Sequence, residues 1–472
     1  MPTAAANATI TTASSTRRPG RSRARHSDHW IASGIATRRS YDPSMPSTVL
    51  DTSAAEIETT REWARWADAN DPLAPLRDRF ELPRSADGAP LVYFQGNSLG
   101  PMARRTRELV QEVMDQWGSR GHYARMEGAR PWMDYHAHAR RSLAALAGAR
   151  EHEVVAMAGL TETLHLLMAS FWRPHTGRDL IIMEATAFPS DRYAVRSHVQ
   201  ARGFDPDSCI IEVQPRADGL LHADDFAHAC AGAGDRAGLL LVGGVNYSTG
   251  QLLDLDALVK AAHAAGAFAC FDLAHAMGNV PLALHDIGAD AAAWCGYKYL
   301  NGGQGATAGL YIHERHGLDA TTPRFAGWWG VPLATRMAME REFVATPGAD
   351  GWQVSGPSVI GMAPLLASLE LFDAAGFDRL RAKSLRLTAF LEMLLRERVP
   401  EARVLTPAAT HERGAQLSIQ LDERCMERHA QLLPAGIACD TRRPNVIRAA
   451  PAPLFNTFDE VWRFVDTLAG TR

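Results

Sequence analysis

One lysine and one aspartate in the second half of the chain have the types and flanks that an aldehyde-bearing ring cofactor requires. Lys298 lies between two tyrosines, immediately before the glycine-rich stretch 301–305, and Asp272 lies at the end of the apolar, strand-like run 267–273. A lysine amine can hold an aldehyde as a Schiff base, and an aspartate can pair with a protonated pyridine nitrogen. Taken singly, a surface lysine and a helix N-cap are the alternatives. Together the two residues favour pyridoxal phosphate as the cofactor.

Two further segments follow strand-like runs, where the ligands of open α/β sheets bind. Residues 159–161 form a strand-to-helix turn, and the free N–H groups of the helix that follows suit a phosphate. The segment 188–191, Phe-Pro-Ser-Asp, follows the apolar run 180–184 and offers a ring for stacking and a carboxylate for hydrogen bonding. An ordinary capped helix and a capping turn are the structural alternatives.

Three more positions have side chains that call for a partner. Arg448 is flanked by apolar residues and needs an anion, which could be a substrate carboxylate or a structural Asp or Glu. His275 lies three residues after Asp272 and would by itself be a structural histidine. Trp328 and its neighbour lie between two glycines, which suits either a core or interface position or an indole N–H contact to a ring or phosphate.

The composition is that of a globular enzyme and argues against a nucleic-acid-binding, membrane-spanning or disulfide-rich protein. The chain has 472 residues, 46% hydrophobic and 22% charged, with a formal net charge of −4. Nothing global therefore indicates nucleic acid or an anionic membrane, and no apolar run approaches the ~20 residues that span a bilayer. The six cysteines contain no C-x-x-C pair. We therefore expect buried, reduced thiols in a cytoplasmic protein, with no disulfide framework and no metal site.

Residues 1–50 differ from the rest because they are rich in Ala, Ser, Thr and Arg and have few apolar residues. We expect this extension to be disordered. An organelle transit peptide and a basic arm for nucleic acid are two explanations of its arginines. A third is an over-extended gene model with Met45 as the natural start, followed by a first helix at 54–69, and this is the one we favour. A secretory signal is not expected, because no apolar segment follows the arginines.

After that, strand-like and helix-like segments alternate, which predicts an α/β fold with a mostly parallel central sheet covered by helices. Strands are expected at 153–158, 180–184, 238–245 and 267–273, and helices at 161–172, 192–202 and 255–265. Helices at 363–374 and 378–396 and a strand at 416–420 predict a smaller α+β domain. The expected division is an N-terminal segment at 51–139 that contributes to the small domain and substrate pocket, a large cofactor-binding domain at 140–335, and the small domain at 336–472.

Taken together and in this order, the motifs resemble the kynureninase family, within the class V aminotransferase-like, fold-type I enzymes that use pyridoxal phosphate. The resemblance runs from about residue 92 to the C-terminus. It rests on FQGNSLG at 94–100, RPW at 130–132, LTETLHLL at 160–167, AFPSD at 187–191, FDLAHAMGN at 271–279, WCGYKYLNGG at 294–303, GWWG at 327–330 and RRPNVIRAAPAPLFNTF at 442–458.

The resemblance implies a role for each matching position. Lys298 would form the Schiff base, and Tyr297 would contact the phosphate and transfer protons. Asp272 would pair with the pyridine nitrogen. Phe188 would stack on the ring, and Trp328 would reach a phosphate across a dimer interface. The full expected cofactor set is Leu160, Thr161, Phe188, Pro189, Ser190, Asp191, Asp272, His275, Tyr297, Lys298, Trp328 and Gly356.

On the substrate side, the resemblance implies that Arg448 holds the α-carboxylate, with Asn97, Ser98 and Arg125 around the pocket. Three positions depart from better-known animal members. Gly243 replaces a serine, Gly356 replaces a residue with a side-chain amide or hydroxyl, and Arg125 replaces a histidine. The last two leave the choice between kynurenine and 3-hydroxykynurenine open, and we expect kynurenine to be preferred.

The implied reaction is hydrolytic Cβ–Cγ cleavage of L-kynurenine to anthranilate and L-alanine in tryptophan degradation, by a homodimer with composite active sites. The nearest alternative is a cysteine desulfurase or aminotransferase of the same fold. A desulfurase would need a mobile catalytic cysteine, for which Cys425 is the one candidate. A protein that binds nucleic acid through its basic N-terminal arm is the alternative from another class, and it leaves Lys298, Asp272 and Arg448 without a purpose.

Overall fold

The computed structural model describes residues 57–471. The N-terminal extension and its expected disorder lie outside the described residues. The helices are α1 Arg61–Ala69, α2 Ala74–Arg77, α3 Thr106–Arg120, α4 Ala137–Ala147, α5 Leu160–Phe171, α6 Pro189–Ala201, α7 Pro206–Cys209, α8 Ala223–Ala233, α9 Leu255–Ala264, α10 Glu314–Gly317, α11 Leu333–Arg336, α12 Val359–Ala375, α13 Phe377–Arg398, α14 Cys425–Leu432 and α15 Phe458–Gly470.

The strands form two larger sheets and two short pairs. Their bounds are β1 Phe80–Glu81, β2 Val92–Tyr93, β3 Met102–Ala103, β4 Val154–Ala156, β5 Leu180–Glu184, β6 Ile210–Val213, β7 Ala237–Gly243, β8 Phe268–Asp272, β9 Ala291–Trp294, β10 Gly309–Ile312, β11 Arg403–Val404, β12 Leu417–Gln420, β13 Ile437–Ala438, β14 Asp440–Arg442 and β15 Val446–Ala449.

The larger sheet has seven strands in the order β4-β10-β9-β8-β7-β5-β6. Strands β9, β8, β7, β5 and β6 are parallel neighbours, and β10 alone runs antiparallel to both of its neighbours. Its strands are continuous apolar runs, as sheets covered on both faces require. All five residues of β5, for example, are buried. The predicted α/β class with a mostly parallel, covered sheet is confirmed.

Alternate residues along the central strands enter two different cores. Leu240 and Val242 of β7 pack with Phe226 and Leu258 of helices α8 and α9. Leu239 and Leu241 pack on the other face, in a core that includes Leu164, Leu167, Val195 and Val199 of α5 and α6. Because each fully buried side chain of this kind contributes ~1.5–3 kcal/mol, the two layers of helices fix the sheet and the ends of its strands.

A separate core lies beneath the four-stranded antiparallel sheet, whose order is β11-β12-β15-β14. Ile419 and Ile447 of this sheet pack with Phe390 of α13 and Phe464 of α15. Side chains from the N-terminal segment, among them Trp63, Val92 and Phe94, belong to the same core, and β2 pairs in parallel with β13. The exact division at 51–139, 140–335 and 336–472 stays a prediction.

Helix starts differ from the predictions by a few residues, each with a local cause. The first described helix begins at Arg61, because the side chain of Thr60 caps the N–H of Trp63. Helix α5 begins at Leu160 with Gly159 as its N-cap, one residue before the predicted start at 161. The side chain of Glu162 accepts the Gly159 N–H. Thr161 is thereby left to face another element.

The described residues contain no single helix with the length and apolar character to cross a bilayer. The pair α12 and α13 passes that test together, by length and composition only, but the two helices meet at a bend of 85°. Their inward side chains are buried in the cores of this fold, among them Leu365, Leu369, Leu391 and Leu394.

Candidate active site

A cavity of about 360 Å³ lies at the carboxyl ends of the central strands. Because β5, β7, β8 and β9 run in one direction, the residues that follow them meet at one edge of the sheet. The cavity is lined by Gly159, Leu160, Thr161, Glu162, Glu184, Phe188, Ser190, Asp191, Gly243, Val245, Asn246, Tyr247, Asp272, Ala274, His275, Tyr297 and Lys298. It therefore brings together most of the expected cofactor residues, and Pro189 lies beside them as the first residue of α6.

One end of the cavity is formed by the N-terminal turns of α5 and α6. The Thr161 and Ser190 hydroxyls lie 2.6 Å apart, each on the first turn of its helix. Helix N-termini present unpaired N–H groups and a partial positive charge. Two of them, with two hydroxyls between, suit the phosphate of the expected cofactor.

Gly243 lies on the same rim, and its lack of a side chain has a steric cause. A Cβ at this position would lie 2.8 Å from Oε1 of Glu184. That oxygen accepts the Gly243 N–H, while the other carboxylate oxygen accepts from the side-chain amide of Asn246. The carboxylate of Glu184 thus fills the space that a serine would need.

Four carboxyl groups and one lysine line the cavity. The carboxylate of Glu162 accepts the Gly159 N–H, and the other three belong to Glu184, Asp191 and Asp272. Burial raises the pKa of Asp191 well above its usual value, and the adjacent Asp272 raises it further. Burial also raises the pKa of Glu184. The amine of Lys298 lies 5.8 Å from the centre of the Phe188 ring and lowers the pKa of Asp191 in part. Buried carboxylates are costly without a cation, so a pyridinium nitrogen beside Asp272 fits this donor set.

His275 is the uncharged member of the group. It is buried, and within residues 57–471 its Nδ1 has no hydrogen-bond partner. Burial lowers its pKa well below the usual value, and the positive charges of Lys298, Arg448 and Arg442 lower it further. A neutral imidazole with an unused ring nitrogen can donate to or accept from a ligand in the cavity. This orphaned atom is the second observation that fits pyridoxal phosphate.

Tyr297 precedes the lysine and also lines the cavity. Burial raises the pKa of its hydroxyl, and the neighbouring thiol of Cys295 and carboxylate of Asp272 add to the effect. The phenol therefore keeps its proton at neutral pH and is placed to pass it to a ligand.

The expected substrate residues lie outside the cavity lining. The Asn97 amide donates to Gln416 at 2.8 Å, and Ser98 beside it is exposed. Arg448 is 1% exposed, and its guanidinium pairs with both carboxylate oxygens of Asp440 and with the carbonyl of Tyr247. The structure thus shows the ion pair that the sequence left as the alternative.

Three more residues with expected contacts are also absent from the lining of this cavity. Arg125 is exposed at the end of the short 3₁₀ helix Gly121–Arg125. The indole N–H of Trp328 donates to the carbonyl of Arg336 at 3.0 Å. Gly356 packs against Trp329, and a Cβ there would lie 3.1 Å from that indole. Within the described chain, none of these three residues makes the contact to cofactor or substrate that was expected of it.

Glu184 and Tyr247 line the cavity but were not predicted. Glu184 is the charged last residue of an otherwise apolar strand, which is the signal that identified Asp272, so the sequence could have indicated it. Tyr247 lies in the loop after β7, and its ring meets Phe188 edge-on at 5.1 Å. No local pattern distinguishes it from other loop tyrosines.

One group of possible metal ligands lies elsewhere in residues 57–471, formed by Glu153, His285 and His313. Its carboxylate already accepts the backbone N–H groups of Arg150 and Glu314, and His285 lies 2.9 Å from it. These hydrogen bonds explain the group structurally, because Glu153 caps the backbone at both Arg150 and Glu314.

The comparisons with known proteins agree with this geometry. A family model described as the kynureninase C-terminal domain matches residues 380–468. A kynureninase of Myxococcus xanthus is 47% identical over 417 residues, covering 88% of this chain and 98% of the relative. One from Stenotrophomonas maltophilia is 48% identical over 404 residues, covering 84% and 95%.

Solved structures with the same fold are more distant in sequence. A cystine C–S lyase variant with glycine covalently linked to its pyridoxal phosphate has a TM-score of 0.69 at 19% identity, over 83% of this chain and 98% of that one. The Escherichia coli cysteine desulfurase CsdA has a TM-score of 0.68 at 20% identity, over 84% and 98%. These likenesses support the fold-type I architecture alone. The identity to curated relatives along nearly their whole length shows that the chain belongs to the kynureninase family.

Proposed function

We propose that the chain is a pyridoxal-phosphate-dependent hydrolase that cleaves the Cβ–Cγ bond of L-kynurenine to give anthranilate and L-alanine. The observation that carries the proposal is the identity of 47% and 48% to kynureninases over 88% and 84% of the chain. The cavity supports it, because a lysine, two aspartates and a neutral histidine converge at the sheet edge where this cofactor would be held.

Pyridoxal phosphate, when bound, withdraws electrons from the α-carbon of an amine held on it. Lys298 would hold the cofactor covalently, and Asp272 would face its pyridine nitrogen. The N-terminal turns of α5 and α6, with Leu160, Thr161, Pro189 and Ser190, would hold the phosphate. Asp191 and His275 would take part in the hydrogen bonds around the ring, and Phe188 would stack on it.

The proton transfers fall to two residues. The Lys298 amine would remove the proton from the substrate's α-carbon, since it is the one amine in the cavity lining. The Tyr297 hydroxyl, protonated at neutral pH as an ordinary tyrosine is, would exchange a proton with the oxygen on the ketone side, where water adds. Both groups come from one short segment, so their spacing is fixed by the backbone after β9.

The substrate would be oriented by its two ends. Arg448 would bind the α-carboxylate, and Asn97, Ser98 and Arg125 would border the aromatic end. We propose a homodimer with composite sites, in which Trp328 and Gly356 act toward the partner's cofactor. Exposed apolar side chains around Trp328 support such an interface, among them Phe325, Leu333, Met337, Met339, Phe343 and Val344.

A desulfurase function finds no support in the cysteines. All six lie in the described part of the chain, and all are free and buried. Cys425 begins helix α14, and burial raises the pKa of its thiol to about 11. A buried thiol of this kind is not the accessible thiolate that sulfur transfer requires. The free thiols agree with the proposed cytoplasmic location. The basic arm proposed for nucleic acid lies outside the described residues.

The proposal is tested by the absorbance spectrum of the purified protein with and without kynurenine, followed by identification of the products. We expect a visible absorbance band from the cofactor held as a Schiff base, a spectral change on adding kynurenine, and anthranilate with L-alanine in equal amounts. Turnover of cysteine with no anthranilate would reject the proposal in favour of a desulfurase.

A further inference from the structure

The hairpin of β14 and β15 places two arginines around one aspartate beside the cavity. Asp440 and Arg448 are directly opposite each other across the two strands. Arg442 lies on the same strand as Asp440, with its Nη1 3.5 Å from that carboxylate. Its guanidinium is 5.8 Å from the ring centre of Tyr247, a residue of the cavity lining. Two guanidinium groups and one carboxylate leave a net positive charge at this wall.

The pairing of Arg448 uses only part of its hydrogen-bonding capacity. A guanidinium has five N–H donors in a fixed plane. Nε donates to Asp440 at 2.7 Å, Nη2 donates to the other oxygen of the same carboxylate, and Nη1 donates to the Tyr247 carbonyl at 2.6 Å. Among residues 57–471, one N–H on each terminal nitrogen therefore has no acceptor. An Arg that is 1% exposed does not give these two donors to bulk water.

Resting on the proposed function, we infer that Asp440 is a positioning residue for the substrate carboxylate. Its carboxylate holds the Nε side of Arg448, so that the unused donors on the two terminal nitrogens are left for a second, incoming carboxylate. The Tyr247 carbonyl fixes the guanidinium from the cavity side. The charge of Arg442 offsets that of Asp440, so that the site still attracts an anion.

The opposite possibility is that Asp440 occupies the position of the substrate and competes with it. The two possibilities predict opposite changes in KM for kynurenine. If Asp440 positions Arg448, removing its charge raises KM for kynurenine, and if it competes, the same change lowers KM. The test is steady-state kinetics on the holoenzymes of the parent, Asp440→Asn and Asp440→Glu.

The matched control is Asp179→Asn. Asp179 binds Nε and Nη2 of Arg236 in the same two-point arrangement, at 2.8 and 2.7 Å. Its side chain is 21% exposed, against 18% for Asp440, and neither aspartate lines the cavity. The difference is that Arg448 donates to the carbonyl of Tyr247 in the cavity lining, whereas Arg236 is 55% exposed. This variant therefore reports the effect of removing an aspartate charge from a two-point arginine pair away from the cavity.

We expect Asp440→Asn to raise KM for kynurenine roughly 10- to 100-fold, as misplacement of a binding group does, with a much smaller change in kcat. Asp440→Glu should raise it by a smaller factor, because the charge is kept but shifted by one methylene. The decarboxylated analogue of kynurenine, used as a competitive inhibitor, should bind parent and variants equally. The cofactor absorbance should be unchanged, and Asp179→Asn should match the parent.

An unchanged or lowered KM in Asp440→Asn would overturn the inference, as would an equal loss of affinity for the decarboxylated analogue. If the Asn variant does not fold, the Glu variant decides by the same comparison, and an unchanged KM there overturns the idea. A parent enzyme that forms no anthranilate would instead reject the proposed function, so the two failures are distinguishable.

Discussion

The edge of the central sheet and the β14–β15 hairpin have opposite charge imbalances. The sheet edge gathers Glu184, Asp191 and Asp272 around a single lysine, whereas the hairpin gathers Arg442 and Arg448 around a single aspartate. Buried charge of one sign is costly without a partner. On the proposed function, each region would be completed by a ligand of the other sign, a pyridinium ring at the first and a carboxylate at the second. One amino-acid substrate on pyridoxal phosphate would supply both.

On the acidic side of this comparison, the largest loss of activity is expected from Lys298→Ala. The cavity would then have no amine to hold the cofactor covalently, and turnover should fall to the background rate. The measurement is cofactor retention after borohydride reduction, together with anthranilate formation. A variant with a reducible adduct and normal turnover would show that another amine does this work.

On the basic side, Arg448→Ala should lower kcat/KM by roughly 30- to several-thousand-fold, which corresponds to ~2–5 kcal/mol for a buried, hydrogen-bonded charge pair. Part of that cost arises because Asp440 is left unpaired. Cofactor occupancy should not change, since the cofactor residues lie at the other region. A loss below about threefold in a well-folded variant would remove Arg448 from the substrate site.

Contacts to the uncharged, aromatic end of the substrate should contribute less to kcat/KM than contacts to its charged end. We expect kynurenine to be preferred over 3-hydroxykynurenine by roughly 5- to 150-fold, because an unpaired buried hydroxyl costs ~1–3 kcal/mol. Gly356 offers no polar side chain, and a Cβ there would lie 3.1 Å from the indole of Trp329. The check is kcat/KM for both substrates, and equal efficiency would show that another group pairs with the hydroxyl.

The smallest expected effect is on the stability of the protein without cofactor. Burial and Asp272 raise the folded-state pKa of Asp191, so the folded state binds more protons than the unfolded state between the two pKa values. This contribution is unfavourable and grows as pH rises above the unfolded value of ~4. Asp191→Asn should therefore stabilise the cofactor-free protein, and by more at pH 8 than at pH 5.

Melting curves at both pH values, with and without cofactor, provide the measurement. The gain should be absent or reversed in the holoenzyme, where a cation would stand near the carboxylates. Equal stabilisation in both forms would mean that the acidic cluster is not balanced by the cofactor.

The acidic region was largely predictable from sequence, whereas in the basic region the sequence indicated Arg448 but not Asp440 or Arg442. Buried parallel strands are continuous apolar runs, and residues such as Asp272 follow them directly, so position along the chain indicated position at the sheet edge. Asp440 gave no such signal. Its place opposite Arg448 depends on the register of a hairpin, which the turn and the packing beneath it decide. Likewise, the close approach of Trp329 to Gly356 is visible only once the two segments are folded together.

The core shared by Trp63, Phe94 and the C-terminal sheet has a consequence for synthesis on the ribosome. The backbone N–H of Phe458 donates to Asp68, 390 positions earlier in the chain. At ~5–20 residues per second, the first of these segments must wait roughly 20–80 s for the second to be made. Throughout that interval the indole of Trp63 lacks its edge-on contact with Phe458, and the ring of Phe94 lacks its contact with Phe464. The nascent chain should therefore be most prone to aggregation, and most dependent on chaperones, before the final hundred residues emerge.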